Sequence, residues 1–410
     1  MAGLILAVKE EKTMNYIIVG NGVAGTTAAE TIRKHDAQGD IKIFTNEDYP
    51  FYSRIRLMEY LAGDVDIPKL QIRAKAWYDT NRIQLFTDAK IVGVDKDNKE
   101  VATSQGQRFF YDKLLLATGA NSFVPPIKGA DKKGVFTLRN MKDAQEIKTF
   151  ASGKSLVLLI GGGLLGLEAG NGLRKSGLRV AVAEFFPRLL PRQTDPACAG
   201  LLQKRLEDMG FDFYLGVSSK EILGEDHVQG LLLEDGRRIA ADLILISAGV
   251  RPNVELAQKM GLQTGKGLPV NDRMETEFTG VYAAGDLIEH RGMLYGIWPA
   301  AEKQGEIAGL NMTGQAVAYA GTTLSNQLKV AGIDLLAAGD LDPDGKLEAF
   351  VEKKEAAGTY RKIVLKDNQV VGTILFGTLE GRKQILKAME EKKDIGSLKD
   401  KLARFDFSTL

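Results

Sequence analysis

Tyr16-Ile17-Ile18-Val19-Gly20-Asn21-Gly22-Val23-Ala24-Gly25 and, later in the chain, Val157-Leu158-Leu159-Ile160-Gly161-Gly162-Gly163-Leu164-Leu165-Gly166 are nearly the same text. Each begins as a run of Ile, Val and Leu that reads as a buried strand and continues as three glycines spaced G-x-G-x-x-G. A helical stretch follows, through Ala28 to Ile32 in the first copy and Leu167 to Arg174 in the second. The glycines permit a tight turn, close backbone approach to a pyrophosphate and tight helix packing, while the helix N-terminus offers positive potential to phosphate. The spacing alone is weak evidence in a chain with 45 glycines, so the flanking strand and helix carry the specificity.

Strand-like runs alternate with glycine turns and helical patterns from Asn15 to about Ala320, which predicts α/β units with parallel sheets. The repeat is duplication of a whole module, not a short solenoid period. After Thr322 the texture changes. Leu328-Lys329-Val330, Tyr360 to Leu365 and Val370 to Leu375 read as strands, with turns at Pro343-Asp344-Gly345 and Lys366-Asp367-Asn368, and helical patterns follow from Lys383 to Glu391 and Ser397 to Arg404. The fold class expected is therefore α/β, two Rossmann-like dinucleotide-binding domains plus a small C-terminal α+β domain.

In such a unit a carboxylate at the end of the second strand bonds the adenosine ribose. In the second copy Val180-Ala181-Val182-Ala183 ends on Glu184, either that ligand or a surface glutamate at a strand end. In the first copy Ile41-Lys42-Ile43-Phe44 runs into Thr45-Asn46-Glu47, so the carboxylate comes late.

The length of 410 residues suits two or three domains. With 54 basic and 53 acidic side chains, nothing global points to nucleic acid or an anionic membrane. Cys198 is the only cysteine, which excludes a disulfide within the chain and any cysteine-built iron–sulfur or zinc site. The apolar start at 1–8 is too short for a membrane span and lacks a basic flank, so 1–13 reads as an extension and the expected compartment is the cytoplasm. His35, His227 and His290 have no ligand spacing and read as ordinary surface or loop residues, and Glu390-Glu391-Lys392-Lys393-Asp394 as a solvated helix end. No metal site is expected.

Three further segments make a resemblance specific. Tyr111 to Ala120 contains Leu114-Leu115-Leu116-Ala117-Thr118-Gly119-Ala120, and Pro125-Pro126-Ile127-Lys128-Gly129 follows as a crossing; Ser247-Ala248-Gly249-Val250-Arg251-Pro252-Asn253 looks like the return crossing; Gly280-Val281-Tyr282-Ala283-Ala284-Gly285-Asp286 looks like a late flavin motif. With these segments the chain resembles the pyridine nucleotide–disulfide oxidoreductase superfamily over nearly its whole length. The resemblance implies an FAD domain at 14–125 and 245–321, an NAD(H) domain at 126–244 and a C-terminal domain at 322–410.

For FAD it implies contacts from Gly20, Gly22, Val23, Ala24 and Gly25, from Glu47, Ser53, Arg54 and Lys90, and from Ala117, Thr118 and Gly119. Asp286, after Gly285, would hold the ribityl hydroxyls, which a carboxylate behind a glycine turn can do; otherwise Ala-Gly-Asp is simply a loop. Trp298-Pro299-Ala300-Ala301 starts a helix, and the resemblance aims that helix end at the N1–C2=O edge of the flavin. For NAD(H) it implies Gly161, Gly162, Gly163, Leu164, Leu165 and Gly166, together with Glu168, Glu184, Arg188, Ala248, Gly249 and Val250, with Glu168 and Arg54 as the candidate catalytic pair. Glu168 matches a glutamate near the flavin N5 edge that in the family pairs with lysine. Here Arg54 or Arg56 would have to serve, and the alternative is a glutamate capping backbone amides.

Disulfide-reducing members carry cysteines in the first FAD-domain helix, where this chain has Pro50-Phe51-Tyr52-Ser53-Arg54. Serine cannot replace a thiolate, and Cys198, far along in the NAD half, reads as a buried structural thiol. The closest resemblance is to the NADH:rubredoxin oxidoreductases and the flavin modules of nitrite reductases, although the latter need cluster and sirohaem cysteines absent here. The expected activity is FAD-dependent electron transfer between NADH and a small iron–sulfur carrier, rubredoxin or ferredoxin, alone or as the flavin subunit of a larger complex. An oxygen-using NADH oxidase and an apoptosis-inducing-factor-like interaction protein stay open. Carrier docking is expected at Arg54, Arg56 and Lys329, with the chain a monomer or a homodimer through its C-terminal domain.

Overall fold

The computed structural model describes residues 13–323, 325–408 and 410, with the backbone alone along the strand Ser325–Val330. The extension at 1–12 and the Lys329 side chain lie outside the described residues. The chain divides into two compact units, the first made of the described part of Met1–Tyr52 with Gln71–Asn121 and Arg251–Thr322. Its centre is a five-stranded sheet in the order Val281–Ala283, Lys113–Leu116, Asn15–Val19, Asp40–Phe44, Ile83–Phe86. All four pairings are parallel. The strand Asn15–Val19 is central and apolar on both faces, as a parallel sheet covered on both sides requires.

The first glycine helix, Val23–His35, lies against the late helix Trp298–Met312. Small residues set how closely they approach: a Cβ on Gly305 would stand 2.4 Å from the Ala24 carbonyl oxygen and one on Gly309 2.9 Å from that of Ala28. Any larger side chain at Gly305 would push the two helices apart. A three-stranded antiparallel sheet, Ile91–Asp95, Glu100–Thr103 and Arg108–Phe110, belongs to the same unit. The Phe44, Phe86 and Phe109 rings pack against one another, with Phe44 and Phe86 stacked at 4.6 Å.

The second unit comprises Ser53–Leu70, Ser122–Val250 and Thr323–Leu410. Its parallel sheet runs Phe211–Leu215, Arg179–Glu184, Leu156–Ile160, Leu243–Ile246, Val135–Phe136, the same arrangement around the second glycine helix Leu164–Lys175. This division draws the crossings at 121/122 and 250/251, close to the sequence boundaries, but assigns 53–70 to the second unit. The short helix Leu57–Ala62 docks there because Gly172 makes room for it: a Cβ on Gly172 would stand 2.7 Å from the Met58 carbonyl oxygen. Ser176 Oγ also donates to the Leu61 carbonyl at 2.6 Å.

The C-terminal part is a five-stranded antiparallel sheet in the order Ser325–Val330, Ile333–Gly339, Gln369–Phe376, Thr359–Lys366, Glu348–Lys354, followed by the helix Arg382–Glu390. The turn between its two longest strands puts Asp367 at φ +50° and Asn368 at φ +58°, the left-handed pair that a two-residue hairpin needs. The sequence pattern had missed Ile333–Gly339 and Glu348–Lys354, and the second predicted helix shrinks to Lys399–Leu402 behind a short 3₁₀ turn.

Candidate functional site: two dinucleotide cradles

In the first cradle each glycine has a distinct steric reason. A Cβ on Gly20, at φ +120°, would lie 2.1 Å from the Ala117 carbonyl oxygen, and one on Gly25 2.0 Å from that of Gly20. Gly22, the residue before the helix, faces open space, with nothing within 4 Å of its Cβ position. No side chain caps this helix start and no acidic residue occupies its first turn, so its amides keep their positive potential. Tyr78 Oη donates to Asn21 Oδ1 at 2.9 Å and accepts from the Phe51 amide at 3.1 Å. That fixes the Asn21 amide, and its Nδ2, buried, has no hydrogen-bond partner among the described residues. A buried donor beside an open glycine face fits an acceptor-rich ligand such as a pyrophosphate.

Around this turn stand most of the other predicted residues. Val23 is half-buried and Ala24 buried in the first helix turn. Glu47, past the second strand, accepts a hydrogen bond from the Tyr52 hydroxyl through its carboxylate. Thr118 Oγ1 donates to the Asn253 carbonyl at 3.0 Å and Asn253 Nδ2 donates back to the Thr118 carbonyl at 2.8 Å, so the Ala117-Thr118-Gly119 turn is tied to a distant strand end. The Gly285 amide donates to the buried Gln304 Oε1 at 2.9 Å. Its Cβ position is 3.1 Å from Ala24 Cβ and 4.0 Å from that of Ala301. The turn before Asp286, the first glycine helix and the buried pair Ala300–Ala301 at the start of the late helix therefore meet at one point. That late helix also begins without a side-chain cap or an acidic first turn. Lys90 is exposed, and its carbonyl accepts from the Ser104 amide. Ser53, buried, and Arg54 fall in the second unit.

The second cradle repeats the scheme with one change. A Cβ on Gly161 (φ +110°) would lie 2.4 Å from the Ser247 carbonyl oxygen and one on Gly166 2.9 Å from that of Gly161, while Gly163 has no neighbour closer than 4.0 Å. Leu164 is half-buried and Leu165 exposed. Glu184 is buried, which excludes the surface-glutamate reading. Its Oε2 accepts from the Gly162 amide and its Oε1 from the Phe186 amide at 2.8 Å. Each oxygen keeps a further acceptor site. Arg188 reaches the Pro191 carbonyl at 3.1 Å, and its buried Nε has no partner among the described residues. Ala248 and Gly249 are exposed and Val250 half-exposed beyond the carboxyl end of the strand Leu243–Ile246, where ligands of open α/β sheets sit.

Two expectations are corrected by the geometry. Among the described residues, Glu168 pairs with neither Arg54 nor Arg56 and caps no amide. Arg54 donates to the Arg139 carbonyl at 2.9 Å, and the Arg56 guanidinium forks onto Glu59 at 2.8–3.1 Å. Burial, and then the Glu59 charge, push the Glu168 carboxyl up to about 7. His290, taken for a surface or loop residue, is fully buried at the end of the strand Ile288–His290. Its Nε2 bonds Asp272 at 2.9 Å and its Nδ1 bonds Tyr295 at 3.2 Å, because Asp272 and Tyr295 close over it from the loops on either side of its strand. His35 and His227 are exposed, as expected. Cys198 is buried in the first turn of the helix Pro196–Asp208, and burial raises its thiol far above the usual range, so it is inert.

Sequence reasoning missed Asn21 as a donor, Gln304 and Glu59. Only Asn21 had a signal, its place inside the glycine motif.

Residues 14–305 match the model of the pyridine nucleotide-disulphide oxidoreductases, and 325–393 that of the rubredoxin NAD+ reductase C-terminal domain. The chain belongs to the pyridine nucleotide-disulphide oxidoreductase family. Members of the family use FAD and NAD(H). Among relatives, a nitrite reductase [NAD(P)H] of Bacillus subtilis is 40% identical over 383 residues, 92% of this chain and 47% of that protein. An assimilatory nitrate reductase electron transfer subunit of the same organism is 35% identical over 393 residues, 95% of this chain and 51% of that protein. The chain thus spans about half the length of these two relatives. The crystal structure of NADH:rubredoxin oxidoreductase from Clostridium acetobutylicum superposes with a TM-score of 0.79 at 29% identity, covering 94% of this chain and 97% of that one. Among the described residues no helix is long and apolar enough to cross a membrane, and no group of three or more His, Cys, Asp or Glu could hold a metal ion.

Proposed function

We propose that this chain is an FAD-dependent reductase that carries electrons between NADH and a small iron–sulfur carrier of rubredoxin or ferredoxin type. FAD would lie in the cradle of Gly20–Gly25 and NAD(H) in that of Gly161–Gly166, in domains at 14–125 with 245–321 and at 126–244. The observation that carries this reading is two dinucleotide cradles in a chain whose single thiol, Cys198, is buried and inert. No cysteine of the chain can relay electrons to a disulfide or peroxide. Bound flavin supplies the exchange between a two-electron hydride donor and one-electron carriers.

The residues do the rest by binding and orientation. The uncapped helix start at Gly22 and the Asn21 amide offer donors to the FAD pyrophosphate, the Gly285–Asp286 turn held by Gln304 offers a carboxylate to hydroxyls, and the uncapped late helix offers positive potential to the ring. In the second cradle Glu184 offers acceptor sites to ribose hydroxyls while bracing the glycine turn. The match at 325–393 to the rubredoxin NAD+ reductase C-terminal domain supports a carrier of rubredoxin type.

Stopped-flow reduction by NADH, followed by turnover with rubredoxin, ferredoxin and oxygen, tests the reading. Fast flavin reduction, fast carrier turnover and slow oxygen turnover are expected; fast oxygen turnover with no carrier turnover would replace it with an oxidase. The half-length match to the nitrite and nitrate reductase proteins favours a second reading, in which the same cradles are the NADH entry of a longer reductase. Rubredoxin-independent electron delivery to a nitrite-reducing partner would select it.

A further inference from the structure

The helix Pro196–Asp208 begins at Asp195, whose Oδ1 accepts from the Cys198 amide at 2.9 Å as an ordinary N-cap. The other carboxylate oxygen is turned away from the helix. It accepts from the Tyr360 hydroxyl and lies 3.7 Å from Lys362 Nζ. Tyr360 and Lys362 alternate along the strand Thr359–Lys366 of the C-terminal sheet, so their side chains leave one face together. Both are buried, and Lys362 is further fixed by donating to the Leu341 carbonyl at 2.9 Å. Further along the same helix Arg205 reaches the Ala357 and Gly358 carbonyls, both at 3.3 Å, so the attachment has two points.

Asp195 also ends the loop that begins just after Glu184. Thr194, next to Asp195 and buried, turns its hydroxyl back to the Leu189 and Leu190 carbonyls at 2.9 and 3.0 Å. Leu190 holds a left-handed backbone, φ +50°, which leucine adopts only when its surroundings impose it. From that turn the Leu190 amide donates to the Gly162 carbonyl at 3.4 Å, and Leu189 Cδ2 stands 2.8 Å from where a Gly162 Cβ would be. Gly162 is thus held from both sides, its amide on Glu184 and its carbonyl on the loop. An unbroken series of contacts runs from the C-terminal sheet through Asp195, Thr194 and Leu190 to the second cradle.

We propose that Asp195, clamped by Tyr360 and Lys362, is a positioning residue through which the C-terminal domain holds the loop 185–194 against Gly162 and Glu184 and so sets dinucleotide affinity. The inference rests on the reading of the second cradle as the NAD(H) site. It gives the C-terminal domain a role in nucleotide binding besides any in carrier contact. Tyr360→Phe removes only the clamping hydroxyl, and Thr194→Val breaks the series nearer the cradle.

The test uses the full chain with FAD bound and reads the NAD⁺ dissociation constant by calorimetry, and KM for NADH and kcat with ferricyanide as acceptor. Each variant, and Lys362→Met as a third, is expected to weaken NAD⁺ binding and raise KM by about fivefold, the effect of one lost hydrogen bond, with kcat within about twofold and the flavin spectrum unchanged. Tyr360→Phe combined with Thr194→Val should be little worse than the stronger single change, because the two sit in series. Variants that lower the unfolding temperature but leave the dissociation constant and KM at the parent values overturn the proposal and reduce the clamp to a structural contact. A parent chain that binds neither NAD⁺ nor NADH overturns the reading of the cradle itself, a separate and distinguishable failure.

Discussion

The two glycine cradles are built to one scheme, yet the glycine turn of one contains an unsatisfied donor and that of the other is braced from within. Asn21 Nδ2 is buried without a partner in the first, whereas Glu184 in the second spends both oxygens on backbone amides and locks Gly162. An unpaired buried donor costs about 1–3 kcal/mol. The first cradle therefore gains more from its ligand than contacts alone would suggest, as suits a group retained through many turnovers. The glycine turn of the second is satisfied by Glu184 without a ligand, as suits, on the proposed assignment, a nucleotide that comes and goes. Among the described residues the one buried donor left over there, Arg188 Nε, lies outside that turn. The lesson is that a shared glycine motif fixes where a dinucleotide lies; the neighbours of the motif set whether it stays.

The largest effect expected is at the third glycine. A Cβ on Gly25 would meet the Gly20 carbonyl oxygen at 2.0 Å and one on Gly166 the Gly161 carbonyl oxygen at 2.9 Å. Gly25→Ala should abolish flavin retention, giving colourless protein, with a loss of stability above the usual 1–3 kcal/mol of overpacking. Gly166→Ala should keep its flavin and lose NADH affinity by about tenfold. Flavin content after gel filtration and NADH titration check the pair, and equal behaviour of the two variants would erase the asymmetry.

Next is cofactor choice. Glu184 is buried, and on the proposed placement of NAD(H) it stands where a 2′-phosphate would have to go; two unit charges about 4 Å apart at an effective dielectric near 20 repel by about 4 kcal/mol. Half of that is more than tenfold, so kcat/KM should favour NADH over NADPH by at least about tenfold. Glu184→Ala should collapse the ratio while also weakening NADH, since the Gly162 and Phe186 amides lose their acceptor. An unchanged ratio would show that Glu184 does not face the nucleotide.

Glu168 gives a smaller, pH-dependent effect. Its carboxyl is raised to about 7 by burial and by Glu59, against about 4.5 in an unfolded chain. Between those values the native state holds more protons than the unfolded one, so stability falls as pH rises and the full cost is present above about pH 7. Glu168→Gln should leave stability nearly unchanged at pH 4 and raise it at pH 8 by about 2 kcal/mol, the shift discounted for partial exposure. Unfolding midpoints at the two pH values decide it.

What could be read from the sequence follows from how local each signal is. The parallel sheets, both glycine turns and Glu184 were legible because a strand, a turn and a helix start are encoded within about 30 residues of one another. His290 was not, since its burial depends on Asp272 and Tyr295 closing over it from other loops. Nor was the place of 53–70, because the docking of Leu57–Ala62 depends on Gly172, more than a hundred positions away. The Glu168 pairing fails for the opposite reason: Arg56 forks onto Glu59, three residues along, a local partner that wins over a carboxylate more than a hundred positions away.

The smallest effect expected is at the chain's single thiol. Cys198 is the only cysteine, and a relay through it would need an ionisable, reachable sulfur. Its side chain is instead buried in the first turn of Pro196–Asp208, beneath Asp195, and the desolvation and that negative charge both oppose ionisation. Cys198→Ser should therefore keep flavin content and NADH turnover within a few-fold of the parent, and cost about 1–2 kcal/mol of stability for burying a hydroxyl where a sulfur was. Because Asp195 also receives Tyr360, any shift in NADH affinity in this variant should track disturbance of the cap and be matched by Tyr360→Phe. A fall in turnover of two or more orders of magnitude with FAD still bound would instead place a thiol in the electron path.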